Sequence, residues 1–349
     1  MACGCAPADL PPGGVTEAVG AWSTEPGASL EPTAVEPLTE LDAATTMPTA
    51  LAGQTSSGTK WHPGHYALYW WARKGIPFRD VKKHDVLRGA QVVYKWKSLE
   101  PHKDQYDFSQ IRSHLNTLQA GGKYLVAQIQ MDEERSAPDY VKREGGTYQG
   151  RPKLWTPEVR DRVKKLVRKL AAEFDAEPYF EAVNFPETSI GKWSKWKHEP
   201  EWKRAGWIEG FAEVSKYART QFRRTNVIQY VNWGIKLEWL VSELRAAGAG
   251  MGGPDNHPRK KIKSYPLFAP NASRMPLAIA VQPPEYKAVY GYTAKELFDH
   301  AVDKLRVNYV FWARTESHVS FKNHVLPTLI QEKGRVNVQC PENIRPCLE

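Results

Sequence analysis

Acids and amides recur where short apolar runs stop. Phe180-Glu181-Ala182-Val183-Asn184-Phe185-Pro186-Glu187-Thr188-Ser189 reads as a buried strand that ends in a polar, proline-interrupted turn. An acid at such an end is placed to protonate a leaving group, which makes Glu187 the first candidate for general acid–base work. Two further acids close comparable runs. Glu285 follows Gln282 and two prolines, and Asp255 sits in Gly252-Gly253-Pro254-Asp255-Asn256-His257. Of the two, Glu285 is the first choice as partner to Glu187, and Asp255 the second.

Other polar and aromatic residues gather at the same strand ends: Tyr69 and Trp70; Lys95, Trp96 and Glu100; Gln128, Gln130 and Asp132; Asn184; Tyr230, Asn232 and Trp233; Gln282; Trp312 and Arg314. Amides and carboxylates suit hydroxyl groups, and indole faces suit the C–H faces of a pyranose ring. A phosphate site would want Gly-rich turns with Lys. A metal site would want clustered His. Neither pattern occurs, so the expected ligand is a carbohydrate, with no cofactor and no metal. The segment Gly191-Lys192-Trp193-Ser194-Lys195-Trp196-Lys197-His198 interleaves Trp with Lys. Trp193 and Trp196 could form sugar platforms flanked by cations for an acidic glycan, or could fold back onto the core. The pattern could also stack bases of a single strand, but no nucleic-acid module accompanies it, and no such partner is expected.

The elements that position these residues alternate. Strand-like runs at 64–70, 90–96, 124–131, 180–184, 227–233, 248–255, 277–282 and 307–312 are separated by helical patterns, the clearest at 108–119, 157–172, 209–222, 237–247, 293–305 and 321–333. Thr293 with Glu296 makes a capping box at the head of one helix. Continuous rather than alternating apolar strands argue for a parallel sheet covered on both faces. Eight such units point to an α/β fold closed as a (β/α)8 TIM barrel, whose chemistry lies at the C-terminal ends of the strands. An open doubly wound sheet is the rival, and it lacks its Gly-rich turn after the first strand.

Trp96-Lys97-Ser98-Leu99-Glu100-Pro101 followed by Tyr106-Asp107-Phe108, and Phe311-Trp312 on the eighth strand, are similar to motifs of the (β/α)8 glycoside hydrolases that carry an acid/base on strand four and a nucleophile on strand seven. The resemblance spans residues 61–335 and does not single out a family within that clan. It implies hydrolysis of O-glycosidic bonds by two carboxylates, with Glu187 as acid/base and Trp312 as a shelf under the sugar. Trp96, Glu100, Gln128, Asn184, Trp193, Trp196, Tyr230, Asn232 and Gln282 would line the substrate groove. Two positions depart from the pattern. The strand-four Asn-Glu dipeptide is stretched to Asn184-Phe185-Pro186-Glu187, and Gln282 stands at the strand-seven position. The second departure also fits a barrel that binds glycan without cleaving it.

The chain has 349 residues, 48 basic and 39 acidic, and 13 Trp. Residues 1–60 hold seven acids and one base, which leaves 47 bases against 32 acids in the remainder, a net +15. That balance favours an anionic polysaccharide as partner. Residues 1–60 are rich in Pro, Thr, Ala and Glu and too poor in large apolar residues to offset chain entropy, so a disordered tether is expected ahead of a catalytic body at 61–349. The four Cys lie at the ends, and Cys340 and Cys347 could close a small disulfide loop. Cys3 near the start suggests a lipid-attachment point, with secretion or cell-surface display. No run is apolar and long enough to span a bilayer, and a monomer is expected.

Overall fold

The computed structural model describes residues 58–348 apart from 74, 132–135, 192 and 316, and describes Trp193 in its backbone only. Residues 1–57, with Cys3 and Cys5, the Trp193 side chain and Asp132 therefore lie outside the described residues, and so does most of the expected tether.

The eight expected strands close into a parallel barrel: β1 Gly64–Tyr69, β2 Leu87–Lys95, β3 Tyr124–Gln130, β4 Phe180–Phe185, β5 Asn226–Tyr230, β6 Gly250–Gly253, β7 Leu277–Val281 and β8 Tyr309–Ala313, with β8 returning to β1. Helices cover the outside: α1 Arg79–Lys83, α2 Ser109–Gln119, α3 Pro157–Phe174, α4 Arg204–Gln221, α5 Leu237–Ala246, α6 Ala294–Asp299 and α7 Leu326–Gln331. The open doubly wound alternative is thereby excluded. Pro occupies the first turn of α3, where its missing N–H costs nothing, and Val163, Leu166, Val167 and Leu170 turn one face to the core. The Thr293–Glu296 capping box is present at the head of α6, where Thr293 Oγ1 accepts from the Glu296 N–H.

Register decides which side chains look into the barrel. Tyr66 pairs with Gly89, Leu68 with Gln91, Gln128 with Asn184, Asn184 with Ile228, and Tyr230 with Gly252. Gln91 Nε2 donates to Asn184 Oδ1 at 2.8 Å and to the Tyr230 hydroxyl at 3.0 Å, so these three meet inside. Gly252 makes room for that ring, because a Cβ there would lie 2.7 Å from Tyr230. At the N-terminal end, a register shift in β4 beside Leu125 inserts Glu181 as an extra residue. Its carboxylate accepts from the His62 N–H, the Tyr309 hydroxyl and Asn226 Nδ2, and closes the floor of the barrel.

Thr59–Lys60 forms a two-residue strand parallel to Cys347–Leu348, beside the Cys340–Cys347 disulfide, so the two ends of the body are tied together under the floor. Among the described residues no helix is long and apolar enough to cross a membrane.

Candidate active site

At the opposite, C-terminal end, Glu187 lies two residues beyond β4, Asn232 two beyond β5, and Asp255 two beyond β6. Asn232 is buried and its orientation is fixed by its acceptor side. Its Oδ1 takes the Ser189 N–H at 3.1 Å and its own neighbour's, Trp233, at 2.8 Å. With the oxygen so engaged, Nδ2 must face the other way. There it donates to Glu187 Oε2, and the same side chain lies near enough to Asp255 to pull its pKa down. One amide side chain thus lies beside two carboxylates from non-adjacent β/α units.

The turn carrying Glu187 is rigid. Thr188 Oγ1 donates to the Trp233 carbonyl at 2.8 Å, and Trp207 Nε1 at the head of α4 donates to the Thr188 carbonyl at 2.9 Å. Glu187 and Asp255 are both half-buried, which leaves each a face toward solvent. Burial pushes the Asp255 carboxyl up to about 6, against the pull of Asn232 and Lys260 in the other direction.

Glu285 is placed differently. It is fully buried behind Asp255, with Oε1 taking the Asn256 N–H at 3.3 Å and Oε2 without a hydrogen-bond partner. Burial, and then the charge of Asp255, hold its carboxyl well above the usual range. Of the two candidates for the partner of Glu187, Asp255 is the one partly exposed at the mouth, and Glu285, the first choice, has no exposed surface. Gln282 Nε2 donates to the Pro254 carbonyl at 2.6 Å and fixes the turn that presents Asp255.

Several expected groove residues face elsewhere. Trp96 and Glu100 have no exposed surface; Trp96 Nε1 donates to Glu100 Oε2, and Glu100 Oε1 is held by Arg162. They brace the loop after β2. Trp312 is fully buried on the outer face of β8, where its indole N–H donates to His65 Nδ1 beside Phe298 of α6. Trp196 is 2% exposed and packs against Trp155 and Trp202, so the Trp–Lys segment folds back onto the barrel. Gln128, Asn184 and Tyr230 do point inward, as the inner lining beneath the mouth. The half-buried indoles at the mouth are Trp70, Trp71 and Trp233, with Lys95 Nζ 4.1 Å from the Trp71 ring. Trp71 and His257 were not singled out by sequence. A run of adjacent Trp gave no sign that Trp71 would adopt a left-handed backbone and turn toward Lys95, and only the fold brings His257 Nε2 within 3.7 Å of Glu285.

No protein-family model matches the sequence, and no curated protein is similar to it. Solved structures are similar in fold. The catalytic domain of β-amylase from Paenibacillus polymyxa superposes with a TM-score of 0.53 at 8% identity, covering 77% of this chain and 99% of that one. GH5_18 from Streptomyces cattleya in complex with GlcNAc gives 0.51 at 14% identity over 81% of this chain and 78% of that one. The β-galactosidase from the psychrophilic Marinomonas ef1 gives 0.51 at 9% identity over 77% of this chain and 59% of that one. At these identities the likeness is one of barrel architecture.

Proposed function

We propose that this chain is a glycoside hydrolase that cleaves within a polysaccharide, with Glu187 as acid/base and Asp255 as the second carboxylate. The observation that carries the reading is Asn232 at the barrel mouth, which donates to Glu187 and lies beside Asp255. In this reading the two acids share the Asn232 amide and lie at most about 6 Å apart, twice a hydrogen-bond length. That is nearer the ~5–5.5 Å of a retaining pair than the ~6.5–9.5 Å that leaves room for a water. Glu187 therefore protonates the glycosidic oxygen while Asp255 attacks the anomeric carbon. Glu187 then takes a proton from the water that releases the sugar from Asp255.

The clan resemblance and the fold shared with a β-amylase and a β-galactosidase support the reaction class. Exposed Lys261 and Lys263 follow Asp255 in sequence, and exposed Arg73 and Lys97 follow β1 and β2. These cations favour an acidic polysaccharide over a neutral one. The Cys340–Cys347 disulfide supports a secreted or cell-surface location. The enzyme acts as a monomer in this reading.

A second reading, a barrel that binds glycan without cleaving it, draws on Gln282, an amide where the resemblance wants a carboxylate. Reducing-end release on a panel of neutral and acidic polysaccharides separates the two. The hydrolase reading expects release, greatest on acidic polymers and lost in Glu187→Gln. Retention of a polymer on the protein with no release from any would replace it with the second.

A further inference from the structure

Behind the mouth, Asp255, His257 and Glu285 converge. One ligand atom from each lies within 4.8 Å of the others, and His257 Nε2 is 3.7 Å from Glu285 Oε1. His257 and Glu285 are closed off from solvent, and Glu285 Oε2 is a fully buried oxygen with no partner. Among the described residues no Lys or Arg lies within ion-pair distance of Asp255 or Glu285, and the group facing Glu285 Oε1 is the His257 imidazole. Buried acids are ordinarily paired with a cation or bound to a metal. Here two acids and an imidazole face one another, while Lys260 acts on Asp255 from beyond ion-pair distance and donates its Nζ to the Tyr290 hydroxyl.

We propose that Asp255, His257 and Glu285 form a binding site for a divalent cation, with one nitrogen and two oxygen donors of the kind that suit zinc. Ligand atoms around a tetrahedral zinc, at ~2.0–2.2 Å from the metal, lie about 3.3–3.6 Å apart. The His257–Glu285 spacing of 3.7 Å lies just above that, and Asp255 is the half-buried member of the three. Because His257 and Glu285 are walled in, any fourth ligand enters from the Asp255 side, which is the mouth. The inference goes beyond hydrolysis, and since it draws on the same Asp255 carboxylate, it is tested by binding without substrate.

The test is equilibrium dialysis of the full chain against micromolar zinc, with bound metal measured by atomic spectrometry. Cys3→Ser and Cys5→Ser are built in, so that thiols do not take the metal. The expected result is one zinc per chain, lost in Glu285→Gln and in Asp255→Asn, with a zinc-dependent rise in Tm that Asp255→Asn abolishes. Asp255→Asn alters a half-exposed position and keeps the test open should Glu285→Gln fail to fold. No retained zinc in the parent, or equal retention in a folded Asp255→Asn chain, would overturn the proposal whether or not the protein hydrolyses sugars.

Discussion

The barrel buries a glutamate at each end, and the two are treated in opposite ways. At the floor, Glu181 takes hydrogen bonds from the His62 N–H at 2.9 Å, the Tyr309 hydroxyl at 2.6 Å and Asn226 Nδ2 at 3.3 Å, with His62 Nδ1 at 2.7 Å. At the mouth, Glu285 takes the Asn256 N–H at 3.3 Å and has a bare second oxygen. Both have no exposed surface. Burial alone therefore does not separate a structural acid from a functional one; the partners facing it do. A fully satisfied acid locks the β4 register shift and the start of β1. An unsatisfied one, beside a half-open Asp255, leaves capacity for a ligand.

Removing an acid from each end should break different properties. Glu187→Gln is expected to lower kcat by roughly 10²–10⁴ with Tm unchanged; a variant that unfolds instead would move Glu187 to the structural class. Glu181→Leu strips the common acceptor from His62, Asn226 and Tyr309, and should cost about 3–5 kcal/mol in denaturant unfolding. If that change left stability intact, the floor would not be the locked end. Asn232→Leu comes next. It removes the donor to Glu187 and leaves the Ser189 and Trp233 N–H groups unmet, and a misplacement of that kind costs up to about 10²-fold in rate. The loss should fall on kcat with KM little moved, since the amide touches the acids rather than the sugar; a change confined to KM would make Asn232 a substrate contact.

The smallest effect concerns a neutral histidine on the outer face of β8. Burial lowers the His65 pKa from 6.5 to about 4, so the folded ring stays neutral where the unfolded one gains a proton. Its Nε2–H donates to the Arg335 carbonyl, and its Nδ1 accepts from Trp312. Its contribution to stability is whole above pH 6.5 and fades as pH falls toward 4, by up to about 3 kcal/mol. Urea unfolding at pH 7 and pH 4.5 should show a fall that shrinks in His65→Gln; an equal fall in both would place the titration elsewhere.

The strands were legible because each is a short apolar run between polar turns, and parallel pairing buries both faces. That same property hid which face was which. In Tyr309–Ala313 every residue is buried, so the alternation that would have turned Trp312 outward toward His65 left no polar mark. Trp96, Glu100 and Trp196 were misplaced for a related reason: a polar-looking loop can close over its own aromatics, as Arg162 does over Glu100. Glu187 was legible from its place beyond a strand. The partnership with Asp255 was not, since it runs through Asn232 from a third strand, and sequence order says nothing of which side of an amide faces which acid.

In the proposed reaction Glu187 and Asp255 flank one glycosidic bond, with Asn232 between them. The most direct measurement is the anomeric configuration of the first sugar released, followed by proton NMR before mutarotation, on whichever polysaccharide in the panel is cleaved. The account predicts retention of configuration; an inverted first product would contradict it.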